Sequence, residues 1–192
     1  MNFDTKYLIR WGIPGWTMVM VLSPYMIVTY FDFLSKQVYN ASDLLAIGAV
    51  LTVLGVPLGY LLNQIHHSLF WVLPRVNKDK WTIYFDEELD IDEYFADDNE
   101  DGMKDALKER YRYLLSKKHE LGGIVMSLGI SAFVILIFNC TMDEFHAWCW
   151  WYFIILLALF TVLLLSRQYS SENIDRYHNH YLNKQRQNDT ST

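Results

Sequence analysis

The segment Phe153-Ile-Ile-Leu-Leu-Ala-Leu-Phe-Thr-Val-Leu-Leu-Leu165 has no polar face that it could show to water. It lies inside an apolar run from Trp148 to Ser166, long enough to cross a bilayer, which takes about 18 or more mostly apolar residues. Three further runs pass the same test, from Ile13 to Leu34, Leu44 to Leu62 and Leu121 to Asn139. A soluble buried helix can be this apolar once, but not four times in 192 residues. The sequence therefore predicts an all-α integral membrane protein with four transmembrane helices.

The composition supports this prediction and excludes two other classes of protein. The chain is 52% hydrophobic and only 20% charged, whereas soluble domains are about 25% charged. Its aromatic content of 16% excludes a disordered chain, and its net charge of -6 excludes a nucleic-acid-binding module of the usual basic kind. The charge is also uneven, because 13 of the 22 acidic residues lie between Asp79 and Glu109.

The basic residues indicate the orientation in the membrane. Fifteen of the 16 lysines and arginines lie in the N-terminal arm, in the loop between the second and third spans, or in the C-terminal tail. The two other connections hold only Lys36. Because the positive-inside rule places basic segments in the cytoplasm, we expect a multi-pass protein of the cell inner membrane with both termini cytoplasmic.

The spans divide the chain into four parts. Residues 1–65 are expected to form an N-terminal arm and transmembrane helices one and two, and residues 66–120 a cytosolic acidic loop and helix. Residues 121–166 then form transmembrane helices three and four, and residues 167–192 a cytosolic C-terminal helix and tail. Within the loop, the β-branched and aromatic residues of Lys80-Trp-Thr-Ile-Tyr-Phe-Asp86 favour a short strand.

Spans three and four are predicted to continue into a small cytosolic helical module. Nothing between Lys104 and Glu120 breaks a helix, so Gly122-Gly123 is the only expected hinge. The tail residues expected to face helix 103–119 are Tyr169, Ile174, Tyr177, Tyr181 and Leu182. So small a module buries little apolar surface by itself, and neighbouring copies of the chain are expected to complete it.

Two faces of small residues predict close helix packing inside the membrane. One face lies on the second span and the other on the third. Their members are Gly48, Thr52, Gly55 and Gly59, and then Gly123, Ser127 and Ser131. Either face can pack within one chain or between chains. One of each kind is the expected arrangement, which gives a homo-oligomer whose subunit number stays open, with a tetramer as one candidate.

A cluster in the tail suits a nucleotide or oligonucleotide signal. Aromatic rings can stack on bases, while basic and imidazole groups contact phosphate. The candidate ligand-binding residues are Arg176, Tyr177, His178, His180, Tyr181 and Lys184. The alternative is a solvated helix face with the tyrosines on its packed side.

Three other patterns are weaker indications of a metal site or a disulfide bond. Asp97-Asp-Asn-Glu-Asp101-Gly102 matches the opening of a calcium loop, but Lys108 stands where a bidentate glutamate belongs, and an acidic helix cap explains the same residues. His66-His67 could bind metal or sense pH, yet no Cys or acidic residue lies beside the pair. Cys140 and Cys149 are too few for a disulfide framework. A single bridge stays open, and two unpaired small residues are favoured.

Arg112 and His119 fit the loose arginine-histidine pattern of HEPN ribonucleases, in which the two residues of paired subunits cleave RNA. Tyr113 follows the arginine, where that family has a polar residue. No other nucleophile, zinc, Walker or dinucleotide motif occurs in the chain. No catalytic residue, metal or cofactor is therefore expected. No ionisable residue falls at the middle of a span, which argues against a pump or a proton-coupled transporter.

The Trp-rich arm Tyr7-Leu-Ile-Arg-Trp-Gly-Ile-Pro-Gly-Trp16, followed by four spans and a cytosolic module, resembles the layout of small membrane subunits of bacterial anti-phage defence systems of the Hailong and Kiwa types. The resemblance covers the whole chain at the level of architecture and fixes no functional residue. It implies a homo-oligomer that perturbs the membrane after a cytosolic infection signal, with the tail and the central loop as the sensing module.

Three hypotheses of function follow. The first is a ligand-gated pore or channel, in which signal binding moves the helices continuous with spans three and four and wets a hydrophobic gate. The second is a non-conducting membrane scaffold, whose acidic stretch 86–101 docks a basic cytosolic partner protein. The third is an RNA-cleaving enzyme that uses Arg112 and His119.

Overall fold

The structure is a computed structural model that describes residues 5–31, 36, 40–73, 89, 103–142 and 146–189. Within these residues the fold is all-helical and has no strand. The helices are α1, Thr5–Thr29; α2, Ala41–His67; α3, Met103–Thr141; and α4, Ala147–Asp189. A short π-helical segment, Ser68–Val72, follows α2 directly. The predicted strand at 80–86 and the acidic residues 97–102 lie outside the described residues.

Each of these four helices is long and apolar enough to cross a bilayer, which confirms the predicted number of candidate spans. The first helix begins earlier than the predicted span, at Thr5 rather than Ile13, while residues 32–35, where that span was expected to end, lie outside the described residues. A hydropathy pattern locates the apolar part of a helix. The helix itself extends through Lys6 and Arg10 because nothing there interrupts its hydrogen bonds.

Helix α2 begins with a local cap formed by two hydrogen bonds. The backbone N–H of Asn40 donates to a carboxylate oxygen of Asp43 at 3.1 Å, and the N–H of Asp43 donates to the carbonyl of Asn40 at 3.1 Å. Such reciprocal bonds use donors that the first turn of a helix leaves unpaired. They explain why α2 starts at Ala41, three residues before the predicted span.

Helices α3 and α4 are much longer than a membrane requires. They contain 39 and 43 residues, whereas about 20 residues cross the hydrocarbon core. The prediction that helix 103–119 runs into the third span is confirmed, and α4 likewise continues past Ser166 without a break. Gly122 and Gly123 are helical and buried, and neither has a positive φ. The helix therefore continues through the expected hinge.

The chain divides into two compact units, each made of separate stretches. The four-helix unit comprises Met1–His66 and Glu120–Leu165, and the second, called here the hairpin unit, comprises His67–His119 and Ser166–Thr192. The core of the four-helix unit consists of buried residues from α1, α3 and α4. They are Tyr25, Leu128, Ala132, Ile135, Cys149 and Leu156. Both cysteines are free thiols, with Cys140 exposed and Cys149 buried.

Candidate functional site

One face of α3 carries small and polar side chains through the four-helix unit. Residues 123, 127, 131, 135 and 139 follow one another at four-residue spacing, so they lie on one side of the helix. They are Gly123, Ser127, Ser131, Ile135 and Asn139, and all five are buried. Polar groups inside a bundle of apolar helices are costly unless they are hydrogen-bonded, so their partners decide what this face does.

At one end of the face, α3 packs closely against α1 and α2. A Cβ atom on Gly123 would lie 2.7 Å from Cγ of Pro14 and would overlap the side-chain oxygen of Asn63. One turn further along α3, the Ser127 hydroxyl lies 2.6 Å from the carbonyl oxygen of Pro14 and 2.9 Å from that of Gly123. The small residues on α3 therefore allow backbone approach and a hydrogen bond between helices.

At the other end of the face, Asn139 joins three helices. The Tyr25 hydroxyl donates to Oδ1 of Asn139 at 2.7 Å, and Nδ2 of Asn139 donates to the carbonyl oxygen of Cys149 at 3.3 Å. Tyr152 lies beside this pair, with its ring centroid 6.0 Å from that of Tyr25, and its hydroxyl donates to the carbonyl oxygen of Val21 at 2.7 Å. Buried tyrosines thus have their hydroxyls satisfied, as expected for such residues.

The hydroxyl of Ser131 is buried and has no hydrogen-bond partner among the described residues. Other hydroxyls in these helices bond to the carbonyl four residues before them, as Thr17 does to Ile13 and Thr161 does to Leu157, each at 2.8 Å. Ser131 makes no such bond, although it is fully buried. A buried hydroxyl in this state is expected to have water as its partner.

The small-residue face of α2 is used within the same chain. A Cβ on Gly55 would overlap the Trp16 indole, and one on Gly59 would overlap the carbonyl oxygen of Trp11. The Trp16 indole N–H also donates to the carbonyl oxygen of Thr52 at 2.9 Å. Gly48 differs, because a Cβ there would meet nothing within 4 Å.

These contacts show that both small-residue faces pack against helices of the same chain, and the expected contact between separate chains stays a prediction. Gly55 and Gly59 face α1, while Gly123, Ser127 and Ser131 are buried in the four-helix unit. Small residues at four-residue spacing reveal a close-packing face. The spacing does not identify the neighbour, which for Gly55, Gly59 and Gly123 is another helix of the same chain, while Gly48 has open space beside it.

In the hairpin unit, α3 and α4 pack through aromatic residues. The Tyr177 hydroxyl donates to the carbonyl oxygen of Leu107 at 3.0 Å, and its ring stacks on Tyr111 with centroids 6.3 Å apart. Ile174 is buried as well. Of the five tail residues expected to face helix 103–119, Tyr177 does so, and the burial of Ile174 is consistent with the expectation. The expectation is wrong for Tyr169, which is 74% exposed. The side chains of Tyr181 and Leu182 lie outside the described part of the structure.

The six candidate ligand-binding residues do not form one surface. Arg176 and His180 are exposed one turn apart, and the Arg176 guanidinium lies 3.9 Å from the carboxylate of Glu172. Tyr177 lies on the packed side of the helix, where it contacts Tyr111. Residues 178, 181 and 184 are helical, but the side chains of His178, Tyr181 and Lys184 lie outside the described part of the structure.

Two buried cations in the hairpin unit were missed by the sequence analysis. Lys118 is 6% exposed and Arg167 is 8% exposed. The Arg167 guanidinium carbon lies 4.1 Å from the centroid of the Phe70 ring, a cation–π distance. A usable signal was present, since Lys118 falls four residues after buried Leu114 and Arg167 seven residues before buried Ile174. Both therefore continue the packed face of their helix.

The histidine pair and the arginine-histidine pair singled out in the sequence lie on helices α2 and α3. His66 is buried, and its ring fills the space beside Gly122, whereas His67 is exposed. Arg112 is exposed and His119 is half-buried on the same helix. Among the described residues, no group of three or more His, Cys, Asp or Glu side chains is arranged to hold a metal ion.

Comparison with known proteins adds no relative: no family model matches the chain, and no curated protein or solved structure is similar to it. The candidate site is therefore defined by the chemistry of this chain. Its two parts are the buried polar groups of the four-helix unit, around Ser131 and Asn139, and the exposed basic groups of α4, Arg176 and His180.

Proposed function

We propose that the chain is a multi-pass protein of a bacterial inner membrane that conducts ions when a cytosolic signal binds. The observation that carries this proposal is a buried line of polar side chains inside four helices that are otherwise apolar. Uncharged polar side chains at membrane depth hydrogen-bond helices to one another, and groups of this kind also line the pathways of ions.

Insertion into a bilayer is supported by the surface of the helices. Large apolar side chains on α2 and α4 are exposed, among them Leu45, Val53, Trp151 and Leu165. Soluble proteins rarely expose apolar patches of more than a few hundred Å². In lipid the same side chains are well solvated. With the basic residues on the cytoplasmic side, both termini and the hairpin unit lie in the cytosol.

Gating is supported by the continuity of two helices. Helix α3 has one part in each unit, and so does α4, and neither helix is interrupted. A ligand that prefers one arrangement of the hairpin unit can therefore bias the spans, by no more than its difference in affinity for the two states. Arg176 and His180, exposed one turn apart, would contact an anionic signal such as a nucleotide or an oligonucleotide.

The resemblance to anti-phage membrane subunits extends this proposal to a role in defence as a homo-oligomeric effector. The test uses bacteria that carry the gene under an inducible promoter and a dye that reports membrane potential. Phage infection is expected to depolarise cells with the wild-type chain and not control cells. A persistent potential together with recovery of a bound basic protein would contradict conduction and favour the scaffold.

A matched set of variants tests the sensing surface. The double variant Arg176→Ala/His180→Ala is expected to express at the wild-type level and to leave infected cells polarised. Glu172→Ala is the control, because it removes the carboxylate that lies 3.9 Å from Arg176 and keeps both basic groups. An equal loss of response in the control would assign the ion pair a structural role and contradict ligand binding here.

A further inference from the structure

We propose that the hairpin unit is a register switch, in which Lys118 and Ser170 fix the register of α3 against α4 and gating slides one helix along the other by one layer of side chains. This inference rests on the proposed gating and names the movement that signal binding would release. The two residues, called here the polar layer, lie on different helices of the same unit, and each is 6% exposed.

The packed faces of the two helices have the spacing of a coiled coil. Their members are Leu107, Tyr111, Leu114 and Lys118 on α3, and Arg167, Ser170, Ile174 and Tyr177 on α4. The steps between successive members alternate between three and four residues, as between the a and d positions of a heptad. The bond from the Tyr177 hydroxyl to the Leu107 carbonyl and the stacking of Tyr177 on Tyr111 show that the two faces meet.

The two helices run in opposite directions. In the four-helix unit Asn139 of α3 bonds to the carbonyl of Cys149, near the start of α4, whereas a Cβ on Gly129 would meet the Phe160 ring further along α4 at 3.0 Å. Neither helix is interrupted before the hairpin unit. The seam in the hairpin unit is therefore antiparallel.

The layers of this seam are counted from the stacked pair of Tyr111 and Tyr177 toward the spans. Three residues along each helix, buried Leu114 is level with buried Ile174. The polar layer follows seven residues along each helix from the tyrosine pair, which is about 10 Å along the axis. The seam thus has apolar and aromatic layers at the end away from the spans and a buried polar layer at the end next to them.

The polar layer distinguishes the observed register from its neighbours. A slide by one layer brings the Lys118 ammonium level with apolar Ile174 in one direction and level with a second cation, Arg167, in the other. In the observed register it is level with the Ser170 hydroxyl, and it has interaction partners. A buried charge beside an apolar or like-charged group is costly. A single polar residue in such a seam is known to specify register at some cost in stability.

The other layers do not select a register in this way. A slide that brings Lys118 level with Ile174 also brings Leu114 level with Tyr177, so these side chains exchange one apolar or aromatic neighbour for another. One layer corresponds to about 3.5 residues, or about 5 Å along the axis. Because α3 and α4 are unbroken and each has a part in the four-helix unit, such a slide cannot stay local to the hairpin unit.

The register is measured by oxidative cross-linking of the purified full-length chain in a Cys140→Ser background. Leu114→Cys/Ile174→Cys reports the observed register, and Leu114→Cys/Tyr177→Cys reports the next one. With Lys118 in place, the first pair should cross-link the faster. Lys118→Met removes the charge and nearly keeps the side-chain length, so it should speed cross-linking of the second pair about tenfold or more. That comparison is made within the second pair, so the loss of Tyr177 is common to both chains.

Lys117→Met is the matched control, because it makes the same substitution one residue earlier, at an exposed position. It should leave both cross-linking rates unchanged. Ser170→Ala is a second variant of the polar layer, and it should also speed the second pair. Unchanged rates in both Lys118→Met and Ser170→Ala would overturn the polar layer as the determinant of register. Circular dichroism identifies a variant that fails to fold, and the other variant then decides.

The link to conduction is measured in the inducible cells with the membrane-potential dye. Lys118→Met is expected to depolarise cells before infection, whereas cells with Lys117→Met should depolarise only after it. Changed cross-linking together with a wild-type dependence on infection would overturn the slide as the gating movement and leave conduction standing. A wild-type chain that never depolarises infected cells would overturn conduction and the gating slide together, and the cross-linking rates would still decide whether the polar layer sets the register.

Discussion

The hydroxyl of Tyr25 and the side-chain amide of Asn139 form a 2.7 Å hydrogen bond between helices α1 and α3, 114 residues apart in sequence. Both residues are buried, and Asn139 also bonds to the carbonyl of Cys149 on α4. One amide therefore connects three helices.

Replacing Tyr25 with phenylalanine should destabilise the four-helix unit by about 1 kcal/mol, the size of one such hydrogen bond. The ring remains to fill the core, so the loss reports the hydroxyl. Thermal unfolding in detergent measures the change. Tyr113→Phe is the control, because Tyr113 is exposed, and it should leave the midpoint unchanged. Equal midpoints for both variants would show that the Asn139 bond contributes nothing to stability.

The packing of α1 on α2 is tested by a pair of glycine variants. Gly59→Ala places a methyl group against the Trp11 carbonyl and should cost about 1–3 kcal/mol, as overpacked sites do. Gly48→Ala meets open space and should be neutral or stabilise the helix by up to about 1 kcal/mol, from the higher helix propensity of alanine. Unfolding midpoints of the two detergent-purified variants give the comparison. A loss at Gly48 as large as that at Gly59 would indicate that a further surface covers Gly48.

The helices themselves were predictable from the sequence because their causes are local. Apolar runs of sufficient length predict the four candidate spans, and the lack of helix breakers between Lys104 and Glu120 predicts a continuous α3. The ends of helices were less predictable. Helix α1 begins at Thr5, before the apolar run that starts at Ile13, since hydropathy describes side chains and not the backbone hydrogen bonds that form a helix.

The residues that pack against each helix face were not predictable from the sequence. The spacing of Gly55 and Gly59 indicates a close contact between helices. The Trp16 indole that occupies the space beside Gly55 is about 40 residues away in sequence. Likewise, the hydrogen-bond state of Ser131 depends on which groups α1 and α4 bring near it. The charge of Arg167 indicates a side of the membrane and not a neighbour, and the stem and guanidinium of an arginine also pack well on an aromatic ring such as Phe70.

The hairpin unit is expected to loosen when Tyr177 is truncated. Tyr177→Ala removes the hydrogen bond to the Leu107 carbonyl and the stacking on Tyr111, so backbone amides of helix 103–119 should exchange with deuterium faster. Tyr169→Ala is the control from the same helix, since that side chain is 74% exposed. Its exchange should match the wild type. Unchanged exchange in Tyr177→Ala would contradict a packed hairpin in solution.

The proposed orientation can be tested with the cysteines the chain already has. Cys140 is exposed near the end of α3, in the connection that the basic residues place outside the cell, whereas Cys149 is buried in the four-helix core. A membrane-impermeant maleimide added to intact cells with a permeabilised outer membrane should therefore label the protein once, at Cys140.

The variant Cys140→Ser provides the control, because it keeps Cys149 and should lose all labelling from outside. Labelling of the wild-type chain only in inside-out vesicles would reverse the orientation, and the hairpin unit with Arg176 would then face away from any cytosolic signal. Labelling of Cys149 in the Cys140→Ser variant would instead show that the core around Tyr25 opens to water. Water in that core would compete with the hydrogen bond between Tyr25 and Asn139.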